Sequence, residues 1–260
     1  MSSLSKPPIL ELDRVRYSYE KGRDFINDIS FGLSEGEFIG LLGANGSGKS
    51  TIMKLGCGIL KPSSGTVSLW GKGLQTLNNR DRAKLISYLP QTLDITVPFT
   101  VRELVSMGLY PYDIPPAMNV DEALDVVGLT GKAAAHLSDL SGGERRRTFI
   151  AMTLVQGAGL LLLDEPLANL DIKYQIELVR LLRKLRESRN IAVVMALHDI
   201  NIALQFDTVI LIKYGTVMGT GRPETILTRD MLKQAFDVGM EVKKSDSGNT
   251  YVSFEDNFQG

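Results

Sequence analysis

The sequence predicts an α/β protein: a mainly parallel sheet with helices on its faces, an antiparallel β part near the N-terminus, and a helical lobe inserted in the middle. Three observations predict it. Between residues 160 and 212, short apolar runs alternate with an amphipathic helical pattern, which gives strand–helix–strand units. Near residue 43 an apolar run ends in a glycine-rich turn that opens a helical pattern. The composition, 43% hydrophobic and 23% charged, is that of a globular chain, and 260 residues suffice to bury a full core without staples.

In chain order, residues 9–17 alternate apolar and polar side chains, the mark of a half-buried strand, and residues 26–33 alternate more weakly. Residues 37–42 form a short apolar strand, and residues 49–60 read as a helix. Short strands are expected at 66–70 and 86–89. The stretch of about 92–156 reads mainly as helix, with segments at 100–108, at 119–127 and from Ser141 onward. Residues 160–164 are a buried strand. Residues 171–188 form a helix with Ile172, Ile176, Val179 and Leu182 on one face, and Lys173, Glu177, Arg180 and Lys184 largely on the other. Strands at 191–197 and 208–212 follow. No linker, charge block or internal repeat divides the chain. Residues 1–242 are therefore expected to be one domain, and the polar residues 243–260 a loosely attached tail.

The same composition excludes several function classes. With 29 Lys+Arg against 30 Asp+Glu, there is no cationic excess for non-specific nucleic-acid binding. The longest apolar runs, 160–163 and 191–197, fall far short of the roughly 20 residues of a spanning helix. Residues 1–8 hold no apolar core, so no secretory signal is expected. The single cysteine, Cys57, cannot make an internal disulfide and is read as core in a reducing compartment. Attachment to a membrane through a partner chain stays open.

Gly43, Ala44, Asn45, Gly46, Ser47, Gly48, Lys49 and Ser50 fit the pattern G-x-x-x-x-G-K-[ST]. Glycines let backbone N–H groups turn in around phosphate oxygens. The helix that follows, with Thr51 in its first turn, aims its positive end at the anion. Lys49 would neutralise β/γ-phosphate charge, and the Ser50 hydroxyl would ligate Mg²⁺. Further on, a buried strand delivers Asp164 and Glu165 at its C-terminal end, where open α/β sheets bind ligands. Asp164 would hold Mg²⁺ through water, and Glu165 would accept a proton from an attacking water.

Leu140, Ser141, Gly142, Gly143 and Glu144 open another helix. Ser141 and Glu144 make a capping box. That does not explain two adjacent glycines, which cost about 1 kcal/mol each in a first helical turn. Glycines there suit close approach of an anion to exposed N–H groups. The run Arg145, Arg146 and Arg147 is read as a charged helical face.

This combination resembles the ATP-binding-cassette (ABC) family of ATPases, whose fold has a P-loop NTPase core. Seven motifs stand in the family's order across 10–238. The resemblance implies ATP and Mg²⁺ as cofactors and a head-to-tail pair of subunits. In that pair Ser141, Gly142 and Gly143 of one copy close on the γ-phosphate held by Lys49 of the other. It implies adenine stacking on Tyr19, with Tyr17 the lesser candidate, and a role for Gln91 in touching Mg²⁺ and coupling to a transport domain. It further implies a dimer-seam loop from Ala168 through Asn169 to Asp171, and a switch histidine, His198, on the γ-phosphate. Glu165, His198 and Lys49 are then the catalytic set. Ser50, Gln91 and Asp164 are the Mg²⁺ set, with Asp164 acting through water.

Within the family, three stretches resemble the ATPases of metal-chelate importers for iron-siderophores, haem and cobalamin. They are 89–112, with Gly108, Leu109, Tyr110, Pro111 and Tyr112; 197–201, with His198, Asp199 and Asn201; and 221–227. Leu109 stands where that subgroup usually has Arg. Met152 stands where Arg is common, and Leu167 and Ala168 where Thr and Ser are usual. The implied partners are integral membrane permease subunits and a solute-binding protein acting through them. The implied place is the cytoplasmic face of the cell membrane, with residues 92–112 forming the groove for a permease coupling helix. The alternatives are a soluble cassette ATPase of the Fe–S assembly type, a cassette exporter subunit, and a phosphotransfer kinase sharing the phosphate loop. The segment 108–112 argues against the first two, and Leu140 to Glu144 together with His198 against the third.

Overall fold

The computed structural model describes residues 7–20, 22–92, 98–114, 116–168, 170–246, 248 and 250–254. Strands β1 (Leu10–Tyr17) and β2 (Ile26–Leu33) pair antiparallel, and the alternation of β1 buries Leu10, Leu12 and Val15. Strand β3 (Phe38–Leu42) is buried at every residue, as a strand covered on both faces must be. Helix α1 (Lys49–Gly56) ends before the expected residue 60. Gly58 turns left-handed at φ +74°, and the N–H groups of Ile59 and Leu60 both return to the Lys54 carbonyl, at 2.9 and 3.1 Å. Strands β4 (Ser64–Leu69) and β5 (Lys72–Gly73) complete a four-stranded antiparallel sheet of order β2-β1-β4-β5.

Helix α2 (Asn79–Leu85) leads into β6 (Ile86–Leu89). The lobe follows as α3 (Val101–Ser106), α4 (Val120–Val126) and α5 (Gly142–Val155). Each of the three starts on a capping box: Thr100 with Glu103, Asn119 with Glu122, and Ser141 with Glu144. After them come β7 (Leu160–Asp164), α6 (Ile172–Arg189), β8 (Ala192–Leu197), α7 (Ile200–Ala203) and β9 (Thr208–Lys213). The chain continues as β10 (Thr216–Gly221), α8 (Pro223–Ile226), α9 (Arg229–Phe236), β11 (Met240–Lys244) and β12 (Thr250–Phe254).

The central sheet runs β10-β9-β3-β8-β7-β6, parallel except for β10 at its edge. Its strands feed two cores by alternation. Leu42, Leu161 and Leu163 point to the core shared with the helical lobe and α6; Leu41, Leu160 and Leu162 point to the core shared with α1 and the antiparallel sheet. Because β3 lies beside β8 and β8 beside β7, the C-terminal ends of all three meet at one edge, with Leu42 opposite Leu197 and Asp164 opposite Ala196. That adjacency places the site. No helix among the described residues is long and apolar enough to cross a membrane.

Two expectations change. In α6 the buried face is Leu178, Val179, Leu182 and Leu185, whereas Ile172 and Ile176 are exposed. At about 100° per residue Ile172 lies only about 20° around the helix from buried Val179, so what differs is its place near the helix start, before the first buried residue, Leu178. The residues after Val242 are not a loose tail as far as Phe254, because β12 pairs with β11 from Met240–Phe254 to Lys244–Thr250. The hairpin is tied to α7 by the Asn201 side chain, whose Nδ2 donates to the Val252 carbonyl at 3.1 Å and whose Oδ1 accepts from the Val252 N–H at 2.7 Å. The rest of that tail lies outside the described residues. Each such bond contributes about 0.5–1.5 kcal/mol net. Asn201→Ala is expected to speed amide exchange across 250–254 by about tenfold while leaving the central sheet unchanged, measured by hydrogen–deuterium exchange.

Candidate active site

The turn from β3 into α1 carries the glycine-rich loop. A Cβ on Gly43 would stand 2.3 Å from the Ile212 carbonyl, and Gly48, the N-cap of α1, has φ +111°, so no other residue fits either place without strain. Beside the loop lies a cavity of about 590 Å³. It is lined by Asn45, Gly46, Ser47, Gly48, Lys49, Ser50 and Thr51, by Phe25 beside Gly48, and by Gln91, Glu165 and His198. Lys49 is buried, and its ammonium donates to the carbonyls of Gly43 (2.7 Å) and Ala44 (3.1 Å). Burial pulls its pKa down, against the charges of Glu165 and Asp164.

Asp164 is fully buried at the end of β7, behind the cavity wall. Burial pushes its carboxyl pKa up and the charge of Glu165 adds to this, while hydrogen bonds from Ser50 and Tyr88 oppose both. Its Oδ1 has no hydrogen-bond partner. Among the described residues no group of three or more His, Cys, Asp or Glu could hold a metal ion. A hydroxyl, a carboxylate with an unused oxygen and the amide of Gln91 are a partial set of hard oxygen donors. They fit Mg²⁺ that keeps waters and takes its other ligands from phosphate.

Glu165 forms the centre of the far wall. Its Oε2 accepts from Gln91 Nε2 at 2.7 Å, and its Oε1 is bonded to His198 Nε2. Its backbone is left-handed at φ +50°, although it precedes Pro166. Such a conformation in a non-glycine residue costs about 1–3 kcal/mol and persists only where the surroundings enforce it.

The arginine run differs from the sequence reading, and the adenine candidate Tyr19 stands next to the cavity lining. Tyr19 does not line the cavity. Its hydroxyl bonds to Thr51 Oγ1 at 2.8 Å, and its ring stands edge-on to Tyr17 and Phe25. Phe25 is the aromatic ring in the wall, which hydropathy could not separate from a core residue. The arginine run is not a solvated face: Arg146 and Arg147 are buried. Arg147 donates to the Val127 carbonyl at 2.8 Å, with its guanidinium carbon 4.0 Å from the ring centroid of Tyr174. Arg146 reaches the carbonyls at the ends of β6 and β7.

Ser141, Gly142 and Gly143 do not reach this cavity either. Ser141 and Gly142 are exposed, and a Cβ on Gly142 would meet nothing within 4 Å, so this helix start faces outward. Asp171 caps α6 without a side-chain bond, and Asn169 lies outside the described residues. Glu144 holds the start of α5 together. It accepts from Lys132 at 2.5 Å and from the Ser141 N–H at 3.1 Å, and these, Lys132 foremost, depress its pKa to about 2. A depressed carboxyl stabilises the fold above its unfolded pKa near 4.5 and loses that contribution as pH falls towards 2. In thermal melts, the gap between the wild type and Glu144→Gln is expected to be constant from pH 7 to 5.5 and to shrink steadily below about pH 4.5.

Comparison with known proteins agrees with this geometry. The ABC transporter family model matches residues 26–168. The chain is 36% identical over 242 residues to the petrobactin import ATP-binding protein FpuC of Bacillus anthracis, covering 90% of this chain and 89% of the relative. It is 36% identical over 242 residues to the hemin import ATP-binding protein HmuV of Rhodopseudomonas palustris, covering 89% and 92%. A metal-chelate type ABC transporter in an inward-facing conformation superposes with a TM-score of 0.78 at 25% identity, covering 95% and 97%. The dimeric post-hydrolysis form of the cassette MJ0796 bound to ADP and Pi superposes at 0.75 with 27% identity, covering 82% and 98%. A glycine loop, two carboxylates and a histidine on the edge of a parallel sheet, with relatives matching along nearly its whole length, make this chain a member of the ABC transporter ATP-binding family, and an ATPase.

Proposed function

We propose that the chain is the ATP-hydrolysing subunit of an importer for a metal chelate of the iron-siderophore, haem or cobalamin type. It would work as a head-to-tail homodimer on the cytoplasmic face of the membrane, beneath separate permease subunits that receive cargo from a solute-binding protein. The observation that carries this reading is the split site. The phosphate loop, Glu165, Gln91 and His198 share one cavity, while Ser141, Gly142 and Gly143 face away from it, where they are free to meet a second copy. Petrobactin and hemin import by the relatives supports the cargo class.

In this reading the phosphates lie along the N–H groups of Gly46, Gly48, Lys49 and Ser50, with Lys49 turning to the γ-phosphate. Adenine packs beside Tyr19, with Phe25 as the neighbouring ring. Ser50 and Gln91, with Asp164 through water, would hold Mg²⁺, which would supply charge neutralisation at the phosphates. Glu165 orients the attacking water and takes its proton, and His198, bonded to that carboxylate, is positioned beside the γ-phosphoryl group. Closure by the partner's Ser141 and glycines excludes other water.

The lobe supports a docking role for 92–112, of which 93–97 lie outside the described residues. Gly108 packs so tightly on α5 that a Cβ would stand 2.4 Å from the Met152 carbonyl, and Leu109 and Met152 both pack on the lobe core. Both departures from the subgroup pattern thus put an apolar side chain against the same core. Arg80 pins the segment to α2 through the Pro111 carbonyl and Asp113. Met107, Tyr110 and Ile114 are left exposed, Tyr110 at 87%. Arg102 and Glu103 are occupied inside the lobe, by Asp121 and by the α3 capping box, so the exposed residues are the better probes.

Glu165→Gln is expected to keep ATP binding and ATP-dependent dimerisation while cutting turnover by at least 100-fold, checked by steady-state phosphate release and gel filtration with ATP. Tyr110→Asp is expected to leave the ATPase of the isolated subunit within twofold of wild type and to abolish co-purification with its permease; unimpaired co-purification would remove this surface from the docking site.

A further inference from the structure

We propose that Arg146 is the positioning residue for Glu165: its guanidinium holds the ends of β6 and β7 together and fixes the left-handed backbone from which the Glu165 carboxylate reaches the cavity. The proposal rests on the reading of Glu165 as the base. Arg146 lies in the second turn of α5, inside the molecule, where a charged group is retained only if its donors are used. They are used entirely on backbone carbonyls around the reaction centre. Nε donates to Pro166 at 3.0 Å, Nη1 to Gln91 at 2.8 Å, and Nη2 to Asp164 at 2.9 Å and to Glu165.

The set is selective. Three of these carbonyls belong to consecutive residues, Asp164, Glu165 and Pro166, which can all face one fork only if the chain bends sharply at Glu165. That bend is the φ of +50° found there, in a residue whose proline neighbour further restricts its backbone. The fourth carbonyl belongs to Gln91, whose side chain donates to the Glu165 carboxylate at 2.7 Å. One guanidinium therefore sets both the bearing of the carboxylate and the position of the amide that steadies it. It makes no bond to the glycine loop, and it meets Gln91 and Glu165 of the cavity lining only through their backbone carbonyls. Arg146 would thus act on turnover and leave nucleotide affinity alone. Lysine, a point charge without a planar fork, can satisfy only some of the four carbonyls.

The test is a double-mutant cycle on the purified full chain, reading kcat, KM and the affinity for a fluorescent non-hydrolysable ATP analogue. Arg146→Gln should lower kcat at least tenfold with analogue affinity within threefold of wild type, and Arg146→Lys should fall between the two. In a Glu165→Gln background, adding Arg146→Gln should change the residual turnover by less than twofold, because the side chain being positioned no longer acts as a base. Multiplicative losses in the cycle, an unchanged kcat in Arg146→Gln, or a loss of analogue affinity matching the loss of turnover would each overturn the proposal. If Arg146→Gln does not fold, the same cycle run with Arg146→Lys decides. Wild-type turnover in Glu165→Gln alone would instead overturn the underlying assignment of the base, and this proposal with it.

Discussion

Strand β7 ends on two carboxylates inside the protein, and much of the surrounding architecture follows from holding charge there. Asp164 is fully buried and Glu165 nearly so, and burial alone would neutralise an isolated carboxyl. Two buried cations stand against them, Lys49 in front and Arg146 behind, each disfavoured by its own burial and favoured by the two carboxylates. Neither cation forms a direct side-chain ion pair with them; both spend their donors on backbone carbonyls. The carboxylate oxygens thus stay free for other partners. Asp164 keeps one oxygen with no bond at all, and Glu165 offers both of its oxygens to the polar groups of Gln91 and His198.

The sheet order makes this possible. With β3 between β9 and β8, and β7 next outward, the glycine loop, His198 and the acidic pair all leave the sheet at its C-terminal edge. A parallel arrangement also puts the start of α1 at that edge, so the positive end of the helix faces the same cavity as the carboxylates. Gly43 is needed because the Ile212 carbonyl of neighbouring β9 comes too close for any side chain, so the loop is shaped by the sheet as much as by its own sequence.

The parts legible in the sequence were those encoded locally. The glycine loop, the run Leu160 to Asp164 and the Ser141–Glu144 capping box announce themselves within eight residues or fewer, and all appear where expected. Buried strands were equally clear, because both faces are covered and hydropathy alone marks them. The failures share a cause: each needed knowledge of what lies opposite. Arg146 and Arg147 look like a solvated charge run until the carbonyls of Gln91, Asp164, Glu165 and Val127 are placed around them. Ile172 and Ile176 continue an apolar stripe, yet both precede the first buried residue of α6, Leu178. The hairpin of β11 and β12 is too short and too polar to stand out, and it docks through Asn201, three residues after His198, and through Met240 and Val252 in the core. Phe25 packs on the core, as its hydropathy suggests, and carries no sign that it also lines the cavity.

Helix α5 joins the two ends of the functional problem. Its first residues are the outward-facing glycines, and Arg146 follows about one and a half turns, or roughly 7 Å, beyond Ser141. The helix between is stiffened by the Ser141–Glu144 box and by the bond of Lys132 to Glu144. The same helix carries Arg146, whose guanidinium donates to the carbonyls of Gln91 and Glu165. Gly108 packs against the Met152 carbonyl of α5, which ties the exposed segment around Tyr110 to that helix as well. In the proposed dimer beneath a permease, a second copy on the glycines and a membrane partner on Tyr110 would therefore both bear on α5, the helix whose Arg146 holds the Glu165 backbone.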